Sequence, residues 1–106
     1  MKMNPEVKQR WLAALRSGFY QQGKHSLSKG GAFCCLGVLC DLHSKETGTQ
    51  WLAREGDNMY FDDTSYVPEH IFSWAGIASN NPLDLATLND DGASFEAIAN
   101  KIEVEL

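Results

Sequence analysis

The chain has 106 residues, of which 43% are hydrophobic and 22% are charged, and its net charge is −5 at pH 7. These values are typical of one globular domain that spans residues 1–106. No apolar run approaches the roughly 18 residues of a membrane span, and the first residues lack the apolar core of a signal peptide, so a cytoplasmic protein is expected. The negative charge, without a basic stripe interleaved with aromatic residues, argues against DNA or RNA binding.

The charge is unevenly divided along the sequence. Residues 1–45 carry seven basic and two acidic side chains, a net +5, whereas residues 46–106 carry two basic and twelve acidic side chains, a net −10. One interpretation is that the two halves fold against each other and partly neutralise. The other is that the basic half meets an anionic ligand.

A helix is predicted to start at Asn4-Pro5-Glu6, where Asn is the cap and Pro takes the first helical position. Gly18 is expected to end it in the left-handed conformation. Residues 20–22 and 26–28 are predicted as short strands that return on each other after Gly23, with a further turn at residues 30–31. One face of the helix is apolar and contains Val7, Trp11, Leu12 and Leu15.

The segment AFCCLGVLCDLH (residues 32–43) is apolar on nearly every side of a helical wheel, so we expect a helix in the centre of the fold that ends at Thr47-Gly48. Gly37 would allow another backbone to approach closely. The segment holds three cysteines, Cys34, Cys35 and Cys40. An odd number at this spacing favours reduced thiols over a disulfide framework.

The second half of the chain is predicted to contain short elements. Residues 49–66 are interpreted as a loop with a hairpin of residues 59–61 against residues 65–67. Short helices follow from Pro68 and from Asn81-Pro82, and a last helix is capped by Ser94. The predicted fold is mainly α (α+β), with four to five helices around a central apolar helix and a small β-hairpin.

The stretch GFYQQGKH (residues 18–25) approaches the phosphate-binding pattern G-x-x-x-x-G-K-[ST], but His25 replaces the hydroxyl residue. That loop requires a strand before the first glycine and a helix after the lysine, whereas here a helix precedes it. The pattern therefore does not indicate a P-loop. The segment still combines cations, amides, aromatic rings and glycine backbone, which suits a phosphorylated base or sugar, although a solvated loop explains it too.

Seven residues are the predicted ligand contacts. Basic side chains would meet phosphates, aromatic rings would stack on a base, and amides would read its polar edges. They are Arg16, Tyr20, Gln22, Lys24, Lys29, Trp51 and Asn89.

Metal and thiol chemistry were also considered. Adjacent Cys34 and Cys35 lack the spacing of zinc ligands, and the acidic residues 89–92 lack the alternation of a calcium loop. A catalytic thiol would need a basic or helix-N-terminal environment, which a position near the helix start could supply. Buried, small apolar side chains explain the cysteines best, so no metal, cofactor or catalytic residue is predicted.

Four blocks, NPEVKQRWLAALRSGFYQQGK, FCCLGVLCDL, VPEHIFSWAGI and LATLNDDGASFEAIANKIE, resemble a widespread family of small, uncharacterised proteins encoded by tailed bacteriophages and prophages. FCCLGVLCDL is the most specific of the four. Phe19 and His25 depart from the family pattern, so the resemblance gives neither a role. It implies a phage origin and a site of action in the host cytosol, and no activity is carried over.

The leading functional hypothesis is a non-enzymatic protein that sequesters a nucleotide-derived immune signal of the host. A homodimer fits this hypothesis, because a monomer of this length has little volume with which to enclose a ligand. The first alternative is a protein that occludes a host protein through a surface such as the aromatic and acidic residues 57–67. The second is a small cysteine-dependent enzyme.

Overall fold

The first helix, α1 (Pro5–Arg16), begins and ends where its sequence predicts. The computed structural model describes residues 3–54, 57–59, 67–78 and 82–106. The Asn4 side chain accepts the backbone N–H of Glu6 at 2.9 Å, and Gly18 follows the helix with φ of +75°. The predicted apolar face is buried, and it contains Val7, Trp11, Leu12 and Leu15.

Five short strands are present: β1 (Gln21–Gln22), β2 (Ser28–Lys29), β3 (Ala32–Phe33), β4 (Leu52–Arg54) and β5 (Asp57–Met59). They form one sheet in the order β1-β3-β2-β5-β4. The strand predicted at residues 20–22 is present as β1, whereas the one predicted at residues 26–28 overlaps β2 only at Ser28. The predicted pairing is wrong, because β1 lies parallel to β3 and does not pair with β2. The reason is the turn at Gly30-Gly31, which folds β2 back along β3 and leaves the other edge of β3 for β1.

The hairpin of β4 and β5 was not predicted. The loop expected over residues 49–66 is wrong at residues 52–54 and 57–59, which pair with each other, and β5 also pairs with β2. The hairpin predicted from residues 59–61 and 65–67 lies largely outside the described residues.

The central helix, α2 (Cys35–Thr47), passes through the core and ends at Gly48 in the left-handed conformation. A Cβ added at Gly37 would lie 1.8 Å from the carbonyl oxygen of Leu27, so the predicted close approach of a second backbone is confirmed. The indole N–H of Trp11 donates to the carbonyl of Cys35 at 3.0 Å and joins α1 to α2.

Three further α-helices follow, α3 (Glu69–Ala75), α4 (Leu85–Asp90) and α5 (Phe95–Glu105), and a short 3-10 helix (Pro82–Asp84) leads into α4. Ser94 caps α5 through a hydrogen bond from the backbone of Ala97, as predicted. On α3 the buried residues are Ile71, Phe72 and Ala75, whereas Trp74 is half-buried.

Helix α5 packs against α1, and α4 packs against both α2 and α5. The described residues thus form a mainly α domain with one small sheet and five α-helices, of which the apolar α2 is the central one. This agrees with the predicted fold class, although the sheet is larger than the single hairpin expected. No helix in the described ranges is long and apolar enough to cross a membrane.

Candidate functional site

Four aromatic rings contact one another in a row near the first strands of the sheet. The row runs from the exposed Phe19 through the buried Tyr20 to the half-buried Phe33 and Trp51. The ring centroids of Phe19 and Tyr20 are 5.4 Å apart, those of Tyr20 and Phe33 are 5.1 Å apart, and those of Phe33 and Trp51 are 5.9 Å apart. All three contacts are edge-to-face, the geometry that aromatic pairs favour. Together with Lys45 these rings form the aromatic patch, which consists of Phe19, Tyr20, Phe33, Lys45 and Trp51.

Asp41 on α2 accepts hydrogen bonds from two of the aromatic side chains of the patch. Its carboxylate accepts the hydroxyl of Tyr20 through Oδ2 and the indole N–H of Trp51 through Oδ1, the latter at 3.1 Å. Burial and this neighbouring carboxylate raise the pKa of Tyr20, so the phenol remains a donor at neutral pH. Two rings from different parts of the chain are therefore fixed by one side chain.

Lys45 covers the edge of the patch. Its ammonium lies 3.2 Å from Oδ2 of Asp41, donates to the hydroxyl of Tyr20 at 3.1 Å, and stands 5.5 Å from the ring centroid of Phe19. The hydrogen bond to Tyr20 is the main cause that raises the pKa of Lys45, so this side chain stays charged.

The outer part of the patch is open to solvent. Phe19 is 78% exposed and Leu52 is 48% exposed, although both are large apolar residues. Single exposed apolar residues are common, but here the Phe19 ring contacts Tyr20, which in turn contacts the half-buried Phe33, and Leu52 follows the half-buried Trp51 in the chain. The combination is typical of a contact surface.

Gln22, predicted to read a ligand, points into the fold. Its Nε2 donates to Oδ1 of Asn89 at 2.9 Å and to the carbonyl of Ala93 at 2.7 Å, while its Oε1 accepts the backbone N–H of Phe95 at 3.0 Å. This single side chain joins β1 to the end of α4 and the start of α5.

Asn89, the second predicted amide reader, is fully buried. Its Nδ2 donates to the carbonyl of Gly23 at 2.7 Å, and its Oδ1 accepts the backbone N–H of Cys35 at 3.2 Å in addition to Gln22. The two amides are thus partners of each other and of four backbone groups.

The predicted cations differ in their surroundings. Arg16 donates at 2.8 Å to both Asn100 and Glu103 of α5, so an acid of the second half neutralises it. Lys29 is exposed on β2. Lys24 is exposed too, and within the described part of the chain it makes no ion pair.

The predicted site residues therefore fall in separate places. Tyr20 and Trp51 meet at Asp41, Gln22 and Asn89 meet inside the fold, and Arg16 lies between α1 and α5. The sequence prediction missed Asp41 and Lys45 as members of a surface cluster. A signal was present, since these two oppositely charged residues stand four apart on one helix, a spacing at which side chains meet.

The charged halves of the chain do contact each other. Besides Arg16 with Glu103, the guanidinium of Arg10 pairs with Glu46 at 2.9 Å. The Nζ of Lys8 donates to the carbonyl of Glu103 at 3.1 Å, near the C-terminal end of α5, where a cation is favourable. The first interpretation of the charge division, mutual neutralisation, is confirmed at these pairs.

The three thiols are buried and unbonded to each other. Burial raises the pKa of Cys34, and burial together with the neighbouring Cys34 raises that of Cys35. Cys34 nevertheless has a local role, because its Sγ accepts the backbone N–H of Gly37 at 3.3 Å and caps α2. The interpretation of the cysteines as interior side chains is confirmed.

No group of three or more potential metal ligands occurs among the residues that the structure describes. His25 pairs instead with the end of α4, where its Nδ1 lies 3.3 Å from Oδ2 of Asp90 and its backbone N–H donates to Oδ1 at 2.8 Å. These bonds hold His25 at φ of +67°, which is unusual for a residue with a Cβ.

The chain is similar over residues 3–106 to the model of a family described as a domain of unknown function, DUF8296. It belongs to that family. No curated protein and no solved structure matches it. The family description carries no activity, so the surface described above is the basis for a functional proposal.

Proposed function

We propose that this protein is a non-enzymatic binding protein that occludes another protein through the aromatic patch. The observation that carries the proposal is the ring of Phe19, which is 78% exposed and packs edge-to-face on Tyr20, whose hydroxyl Asp41 holds in place. Aromatic residues are enriched at the centres of protein interfaces, where a few of them supply most of the binding free energy.

The hydrogen bonds of Asp41 make the patch suitable for this role. Tyr20 and Trp51 are held by the same carboxylate, so little side-chain freedom remains to be lost when a partner binds. Lys45 stands at the rim with its ammonium bonded to Asp41 and Tyr20, so the apolar rings have a polar edge, as protein interfaces commonly do.

The source of the partner follows from the resemblance to phage proteins. If the chain is phage-encoded, its partner is a protein of the bacterial host, and the site of action is the host cytosol. This part of the proposal depends on the resemblance alone and is separable from the role of the patch.

The test is capture of a host protein from lysate by the tagged protein, with Phe19→Ala compared with Val104→Ala. Val104 is 83% exposed on α5, so the control removes an equally exposed apolar side chain elsewhere. We expect a stoichiometric partner that Phe19→Ala weakens at least tenfold and Val104→Ala leaves unchanged. Equal binding by both variants, or the absence of any stoichiometric partner, contradicts the proposal.

Sequestration of a nucleotide-derived signal is the second candidate, and Lys24 is the observation that favours it. This exposed cation makes no ion pair within the described ranges, whereas Arg10, Arg16 and Lys45 are each paired with an acid. The exposed ring of Phe19 would supply a stacking surface for the base.

A thermal-shift panel of cyclic and ADP-ribose-type nucleotides tests this candidate. A ligand at 100 times its Kd stabilises the folded state by about 2.7 kcal/mol, which raises Tm by several degrees. Lys24→Ala is expected to abolish the rise and Lys101→Ala to keep it. An unchanged Tm across the panel removes the candidate, and a native mass in solution decides whether the predicted homodimer forms.

The cysteine-dependent enzyme is not proposed. A thiol nucleophile requires access and a lowered pKa, whereas Cys34 and Cys35 are buried with raised pKa values.

A further inference from the structure

Two histidines meet where α3 packs on α2. His43, on α2, is only 6% exposed, and its ring centroid lies 5.9 Å from that of His70 and 4.9 Å from that of Trp74, both on α3. Both contacts are edge-to-face. Two imidazoles and an indole therefore meet between the two helices at this point.

We propose that His43 and His70 make the packing of α3 on α2 pH-responsive, so that α3 loosens from α2 in mildly acidic solution. The proposal is independent of the proposed function, since none of these residues belongs to the aromatic patch.

The charged groups described around His43 act on its protonation in opposite directions. Among the described residues Glu46, one turn along α2, is the acid that faces His43 and favours its protonated form, but Oε1 of this carboxylate is already bonded to Arg10 of α1 at 2.9 Å. Its Oε2 accepts the indole N–H of Trp74 at 2.7 Å. From α3 the facing titratable group is His70, whose protonation would add repulsion.

The sign of the effect follows from linkage. Burial, and secondarily His70, lowers the pKa of His43 below its ordinary value of about 6.5. The unfolded or locally opened chain therefore takes up a proton first, so stability is complete above that value and declines as the pH falls through it. One proton bound on opening multiplies the opening equilibrium by up to tenfold per pH unit.

Hydrogen exchange of the backbone amides of α3, corrected for the intrinsic pH dependence, tests the proposal with the full chain. Between pH 7 and pH 5.5 we expect the opening equilibrium of α3 to increase up to tenfold in the parent protein. His70→Gln should reduce this increase. His43→Gln with His70→Gln should remove it, whereas His25→Gln, at the third histidine, should leave it unchanged.

Two results overturn the proposal: α3 protection that does not change with pH in the parent protein, or the same pH response in the double variant. If the double variant fails to fold, the single variant His70→Gln decides, because this side chain is exposed and its replacement leaves the core intact. A response in His70→Gln that equals the parent's then rejects the role of the pair.

Discussion

Asn89 shows how one buried amide can connect several parts of a small fold. It lies near the end of α4, and its hydrogen bonds reach Gly23 after β1, Cys35 at the start of α2, and the side chain of Gln22. A buried polar group is tolerated when its hydrogen bonds are made, and here each partner is itself buried or half-buried.

Asn89→Ala is expected to destabilise the protein by about 3 kcal/mol, because it leaves the N–H of Cys35 and the carbonyl of Gly23 without this partner. Asn100→Ala is the matched control, since Asn100 is exposed and bonded only to Arg16 among the hydrogen bonds described. It should change stability by less than about 0.5 kcal/mol. Urea unfolding measures both, and equal losses would contradict the structural role of Asn89.

Gly37→Ala is expected to cost more than about 3 kcal/mol or to prevent cooperative unfolding altogether, because its Cβ would meet the backbone of Leu27. Gly30→Ala provides the comparison: it has open space around its Cβ position but a φ of +59°. Left-handed strain alone should cost about 1–2 kcal/mol there. Denaturant midpoints that fall equally for both variants would show that α2 can move away from Leu27.

The sequence predicted this close approach at Gly37 but not the site around Asp41. A glycine in an apolar helix is a local signal, and its meaning depends little on the partner. The role of Asp41 depends on two rings, Tyr20 and Trp51, that lie 21 and 10 positions away in the sequence. No helical or strand period relates these positions, so the cluster becomes visible only in three dimensions.

At the scale of elements, the helices were predictable because their ends carry local signals. Asn4, Gly48, Gly76 and Ser94 occupy cap positions that side-chain hydrogen bonds or left-handed backbone require. The strands have two or three residues each, which is too short for an alternating pattern. Their pairing follows from tertiary packing, and for that reason the parallel β1–β3 pair and the β4–β5 hairpin were missed.

The start of α2 gives an element-scale prediction, because its cap is a thiol. Cys34→Ala removes the acceptor for the N–H of Gly37 and should cost about 1 kcal/mol. Cys34→Ser keeps an acceptor of similar size and should be more stable than Cys34→Ala by a comparable amount. Thermal unfolding of the two variants measures the difference, and a serine variant no better than the alanine variant would show that the cap contributes nothing.

The whole molecule owes part of its cohesion to contacts between its oppositely charged halves. Glu103 receives Arg16 from α1, and this hydrogen bond, with a smaller contribution from Lys8, lowers the pKa of its carboxyl. The site is exposed, so the interaction is expected to be modest and to depend on ionic strength.

Glu103→Lys should lower Tm, because it places a third cation beside Arg16 and Lys8. The decrease should shrink in 1 M NaCl, where unlike and like charges at an exposed site are both screened. Glu103→Gln is the control for lost attraction without added repulsion and should lower Tm less. A decrease for Glu103→Lys that salt leaves unchanged would point to packing instead of charge.

The contact of α1 with α5 also has a consequence for synthesis. Arg16 and Glu103 are 87 positions apart, yet their helices share the core. During translation α1 leaves the ribosome early, while the helix that covers part of its apolar side is still unmade. The nascent chain must therefore keep that side from aggregating, alone or with a chaperone, until Ile98 and Ile102 have emerged.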